Sequence, residues 1–136
     1  MVPKKIFETF KAGSRTYFYS SLFFPRQLRE DVFRLYAFVR TADNFVDVVP
    51  QQPEEFYAFR QRYEEALEEH TTGDVIVDHF AALLKRRSFD PSWVEAFLDS
   101  MEMDLEKRCY ETMGDLLEYI YGSAEVIGLM MARIMR

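Results

Sequence analysis

A single cysteine, Cys109, stands in this chain, so no intrachain disulfide can brace it and the fold has to rest on packing. No charged-then-apolar leader precedes a cleavage site, and a reducing cytoplasm is the expected setting. The two histidines, His70 and His79, lie nine residues apart with no Cys or Glu pattern beside them, which argues against a histidine-based metal centre. Glycine is scarce, and none of it forms a phosphate-cradling loop; a nucleophile elbow and a Cys-x-x-Cys pair are missing too. Long apolar runs are absent: the longest, Val126 to Ala132, has seven residues, far short of a membrane span. Positive charge is in deficit, and a net charge of −6 argues against nucleic acid as a partner. Peripheral contact with a bilayer stays open, because an aromatic-rich protein handling greasy substrates can sit at one.

Aromatics are what the chain has in excess. Thirteen Phe and eight Tyr are more than a small helical fold needs for packing alone. No alternating strand pattern, repeat or low-complexity tract is found, so the expected class is all-α, in one domain or a piece of one. Met1 to Ala12 reads as a short amphipathic helix. Gly13-Ser14-Arg15-Thr16 is a break able to cap the next segment, Tyr17 to Phe24, which Pro25 ends. A long helix is expected from about Arg26 to Val49, and another from Glu54 to His70 with Phe56, Phe59, Tyr63 and Leu67 inward. Asp74 is placed to cap a helix with Val75, Val77, Phe80, Ala81 and Leu84 inward that ends in Lys85-Arg86-Arg87, and Phe89-Asp90-Pro91-Ser92 to open one carrying Trp93, Phe97, Leu98, Met101 and Leu105. Thr112 and Asp115 resemble a capping box before a last helix from Leu116 to the end. Val126, Ile127, Leu129, Met130, Met131, Ala132, Ile134 and Met135 run around that helix, as expected of one lying inside a larger core. The expectation is that another segment or a second copy covers it, with self-association through Ile127, Met130, Met131 and Ile134.

Chemistry concentrates on the long helix. Tyr36, Arg40, Asp43 and Asp47 succeed one another at spacings of four, three and four, which puts all four on one helix face. Their neighbours are largely apolar, and a buried carboxylate without a partner costs several kcal/mol, roughly. Arg40 supplies one positive charge against two carboxylates. Spacing alone favours the plainer reading, a solvent-facing Arg40–Asp43 pair. A divalent cation would satisfy both aspartates; Mg²⁺, or Mn²⁺ in its place, is a hard ion commonly held by one or two carboxylates, waters and substrate phosphates. Arg40 has the planar fork for a phosphate oxygen. Ser14 and Thr16, at a helix start, suit the same anion. Tyr17, Phe18, Tyr36, Tyr119 and Tyr121 could line an apolar cavity whose aromatic faces stabilise a carbocation. Asp99, Glu102, Asp104 and Glu106 form an acidic stretch in which Asp99 and Glu102 are the candidates to face a metal, with a solvated face as the plainer reading.

Three blocks carry a resemblance to a known family. Ser14-Arg15-Thr16-Tyr17-Phe18 with Leu22-Phe23-Phe24-Pro25 looks like an opening segment, and Leu35 to Asp47 like a first aspartate-rich motif. Met103-Asp104-Leu105 with Tyr119 to Met130 looks like a mid-domain helix. Together they resemble the squalene/phytoene synthase family of head-to-head prenyltransferases. The resemblance implies an all-α isoprenoid-synthase fold around a central cavity. It also implies Mg²⁺ on Asp43 and Asp47, diphosphate contacts from Arg40, Ser14 and Thr16, Tyr17 and Tyr36 at the substrate, and a catalytic role for Tyr119. The reaction would join two prenyl diphosphates through a cyclopropyl intermediate to a squalene- or phytoene-type product, as in carotenoid and related isoprenoid biosynthesis. Gly13 stands where some relatives have His, and Glu125 where Gly is common, which puts a carboxylate in a greasy cavity. The second aspartate-rich motif would lie beyond Arg136, so the chain is expected to be an incomplete domain, inactive alone. Two other readings compete: an all-α Mg-dependent nucleotide pyrophosphohydrolase, for which Glu64, Glu65, Glu68 and Glu69 would be extra ligands, and a non-catalytic helical interaction module.

Overall fold

A computed structural model describes residues 3–6, 25–48, 50–68, 71–106 and 113–135. Every regular element among them is a helix, with no strand among the described residues. Past a short helical piece at 4–6, α1 spans Arg26–Asp47, α2 Pro53–Leu67, α3 Val75–Arg86 and α4 Pro91–Glu106. The last helix is built in three parts: α5 at Met113–Ile120, a π-helical turn at Tyr121–Glu125, and α6 at Val126–Ile134.

Local chemistry sets most of these boundaries. Pro53 opens α2 at a position whose N–H would have no partner anyway. The Asp74 carboxylate accepts from Ile76 N at 3.0 Å and Val77 N at 3.2 Å, which caps α3 as the sequence predicts. Asp90 accepts from Ser92 N at 2.9 Å just ahead of α4. The Thr112–Asp115 box, and the segment holding Ser14, Thr16, Tyr17 and Phe18, lie outside the described side chains.

The core is organised on Phe38 of α1. Its ring stacks on Phe80 of α3 with centroids 3.9 Å apart, and lies 5.0 Å from Phe59 and 5.5 Å from Tyr63 of α2. Phe97 of α4 closes the group at 6.4 Å. Four helices therefore meet on one aromatic side chain, which uses the surplus of rings for packing. Tyr63 carries the one flaw in this cluster. Its hydroxyl is buried with no hydrogen-bond partner among the described residues, and burial, with the Glu95 charge, pushes the phenol well above its usual range. Tyr63→Phe is expected to raise stability by up to about 1 kcal/mol in urea denaturation, because an unpaired buried hydroxyl is removed without leaving a hole.

Two ion networks fasten the helices outside the aromatic cluster. Asp31, on α1, is 0% exposed and takes both Arg86 guanidinium nitrogens at 2.8 and 2.7 Å, Arg87 Nε at 2.8 Å and Arg34 Nη1 at 2.9 Å. Arg60, on α2, reaches Glu102 at 2.6 Å, Glu95 at 2.8 Å and Asp99 at 2.9 Å, all on α4. His79 of α3 accepts from Arg34 Nε at 3.4 Å; His70 is not described.

The last helix corrects an expectation. It is buried along one stripe only: Val126, Met130 and Ile134 are inside, Ile127 and Met131 half inside, and Leu129 and Met135 exposed. Met130 and Ile134, expected to mediate self-association, are spent on the chain's own core, because they fall four apart on the face turned to α4 and α1. The apolar side chains left outward are Met113, Leu117, Ile120, Tyr121, Leu129 and Met135.

Candidate active site

The long helix does present its predicted line to one side. Tyr36, Arg40 and Asp43 are half buried and Asp47 is exposed, one turn after another along α1. Arg40 Nη1 stands 3.4 Å from Asp43 Oδ2, a loose pair with the carboxylate 30% exposed. The solvent-facing ion pair that spacing alone favours is thus present, but it does not hold the site. Burial first, then the hydrogen bond and charge of Asp47, push the Asp43 carboxyl up from its usual value to about 6, against the pull of Arg40. The charge of Asp104 pushes the same way.

Asp104 is a residue that sequence reasoning names without giving it a role. Sequence groups it with Asp99 and Glu102, the metal candidates of that stretch; the structure turns those two toward Arg60, on the other side of α4. Asp104 lies seven residues after Phe97 and three after Met101, so it continues the core-facing stripe of α4 and emerges at its end. That register is the available signal. Tyr119, approaching from α5, donates its hydroxyl to Asp104 Oδ2 at 2.9 Å.

A third side chain sets the distance between the helices. Gln51, in the α1–α2 connection, donates its amide to Val46 O at 2.9 Å and to Asp104 O at 3.0 Å. The end of α1 and the end of α4 are thereby tied together, and the carboxylates of Asp43 and Asp104 are held within each other's field. A hollow of about 400 Å³ opens on the outer side of this connection, lined by Val48, Pro50, Gln51, Gln52 and Pro53 to Glu55.

Other predicted positions fall elsewhere. Tyr121 is exposed and does not line an enclosed wall, because the π turn carries it outward. Glu125 is exposed too, so its carboxylate is in water and not in grease among the described residues. Glu64 and Glu65 of α2, and Glu68 just past its end, are exposed to solvent. Ser14, Thr16 and Tyr17 fall outside the described residues.

Asp43 and Asp47 offer hard oxygen donors of the kind that could hold Mg²⁺, in surroundings short of positive charge. No three acidic, histidine or cysteine side chains are arranged to hold an ion by themselves among the described residues, so waters or phosphate oxygens would complete any shell. No helix among the described residues is long and apolar enough to cross a membrane.

Comparison with known proteins identifies the family. A 15-cis-phytoene synthase of Paracoccus sp. (strain N81106 / MBIC 01143) is 31% identical over 137 residues, covering 94% of this chain and 45% of the relative. That of Synechococcus elongatus (strain ATCC 33912 / PCC 7942 / FACHB-805) is 30% identical over 125 residues, covering 90% and 40%. A 4,4'-diapophytoene synthase of Staphylococcus haemolyticus (strain JCSC1435) is 28% identical over 130 residues, covering 92% and 45%. The chain spans less than half the length of these relatives. No solved structure matches it. The family profile described as squalene/phytoene synthase runs from residue 10 to residue 136, through Asp43 and Asp47 of α1 and on past Tyr119. The chain belongs to the squalene/phytoene synthase family.

Proposed function

We propose that this chain carries the first half of a Mg²⁺-dependent diphosphate site, in a prenyltransferase joining two prenyl diphosphates head-to-head into a phytoene- or squalene-type product. What carries the reading is the placement of Asp43 among the charges of Asp47 and Asp104 with Arg40 alone opposing them, a cluster two positive charges short in which the Asp43 carboxyl is pushed up to about 6. Asp43 and Asp47 would hold the ion, and Mg²⁺ when bound would offset the charge of a departing diphosphate. Arg40, half exposed and only loosely paired, is placed one turn before Asp43 to grip a phosphate oxygen with its fork. The Tyr119 hydroxyl proton rests toward Asp104, which fixes the phenol oxygen beside the carboxylates, where it can stabilise or move a proton. Tyr36 packs partly against the core along the same face and would meet the substrate there.

Calorimetric titration of the chain with a non-reactive prenyl diphosphate analogue, with and without Mg²⁺, tests the reading. Binding is expected only with metal, and to weaken at least about tenfold, near 1.4 kcal/mol, in Asp43→Asn. Binding indifferent to Mg²⁺ and to Asp43→Asn would overturn it.

A further inference from the structure

Tyr119 stands two residues before the π turn at Tyr121–Glu125, in which Val126 N–H donates to Tyr121 O. On an uninterrupted α-helix Tyr119 would share a face with Val126 and Met130, seven and eleven residues on, since a heptad closes to within about 20°. Val126 and Met130 are buried in the core, and Tyr119 would be carried there with them. A π turn holds one residue more than an α turn, which rotates the helix on its N-terminal side by about 100° relative to the helix on its C-terminal side. That rotation takes the ring off the core face and brings its hydroxyl to 2.9 Å from Asp104 Oδ2.

Gly122 is what allows the turn to lie there. It is buried against α4, where a Cβ would overlap the Ala96 carbonyl oxygen and come within 2.8 Å of Ser100 Cβ. Ser100 cannot step aside cheaply, being buried with its hydroxyl donated to Phe97 O at 2.7 Å. Gly128, six residues on, has nothing within 4 Å of its own Cβ position, so the close approach found at Gly122 is not repeated there. We propose that Gly122, by seating the π turn flush on α4, is the positioning residue that aims the Tyr119 hydroxyl at Asp104. Its value to prenyl transfer rests on the reading above, whereas the aim itself does not.

The full chain labelled with [ζ-¹³C]tyrosine gives a resonance for each of its eight tyrosines, and Tyr119→Phe identifies the one that matters. Asp104→Leu removes the acceptor and defines where the Tyr119 resonance lies without its hydrogen bond. Gly122→Ala is expected to move the resonance to that position, and Gly128→Ala to leave it in place. If Gly122→Ala does not fold, deletion of Ser123, which takes the extra residue out of the turn, is read the same way with the same loss expected. A folded Gly122→Ala or Ser123-deleted chain that keeps the wild-type resonance overturns the proposal. The spectra need neither metal nor prenyl diphosphate, so a failure to bind substrate would count against the functional reading alone.

Discussion

Asp31→Ala is expected to lower the stability of this chain by about 3–5 kcal/mol at pH 7, the penalty typical of removing one partner from a buried ionic cluster. The carboxylate is fully enclosed and is the common acceptor for Arg34, Arg86 and Arg87. Without it, three guanidinium groups face one another at the junction of α1 and α3, and α3 loses what ties its C-terminal end down. Burial alone would raise the Asp31 carboxyl; the hydrogen bonds and charges of Arg86 and Arg87 overcome that and hold it below its ordinary value. A carboxyl lowered on folding stabilises the native state above its unfolded pKa, near 4, and the contribution disappears as pH falls through the folded value. Urea denaturation at pH 7 and at pH 3 checks both parts. A loss under about 1 kcal/mol at pH 7 would mean that water replaces the carboxylate and that the cluster is not a fastening.

Asp43→Asn is expected to do the opposite. Its carboxyl is raised to about 6 in the folded chain against an ordinary value of 3.8. A carboxyl raised on folding favours the native state while protonated, so stability should decline as pH climbs from about 4 to 6 and stay level above. The shift corresponds to roughly 3 kcal/mol, and partial exposure reduces this to about 1–2 kcal/mol. Without metal, Asp43→Asn should therefore be more stable than the parent by that amount at pH 7.5 and about equal to it at pH 3.5. Millimolar Mg²⁺ should raise the midpoint of thermal unfolding of the parent at pH 7.5 and leave the variant unmoved. Equal stability of parent and variant across the whole range would remove the electrostatic argument for a cation site. The Asp31 and Asp43 windows meet near pH 4, where the metal-free chain should be most stable.

What can be read from the sequence, and what cannot, divides along physical lines. The α1 face is legible because its polar positions break an apolar background at helical spacing, and the Asp74 cap because its chemistry is complete within three residues. Asp31 obeys the same periodic rule, in step with Leu35, Phe38 and Ala42, yet draws no notice in the sequence: Arg34 is three residues on, but the two partners that enclose it from α3 are 55 and 56 residues away. Asp104 hides among acids that point the other way, and only its register with Met101 separates it from Asp99 and Glu102. The apolar residues around α6 read as a fully buried helix because composition does not say which of them an exposed position will tolerate. A single extra residue in a helical turn leaves no mark on composition at all. It shows only as a conflict: Tyr119 shares a stripe with Val126 and Met130 that a polar hydroxyl ought to avoid.

Gln51 gives the site a gauge. One amide nitrogen spans the carbonyls of Val46 and Asp104, and no second side chain duplicates that span among the hydrogen bonds described. The width of the opening between the ends of α1 and α4 is therefore measured out by two contacts of about 3 Å each. A glutamate in its place would present an acceptor to two acceptors and force the helix ends apart. The separation of Asp43 from Asp104 is thus decided partly by a loop residue that touches neither carboxylate.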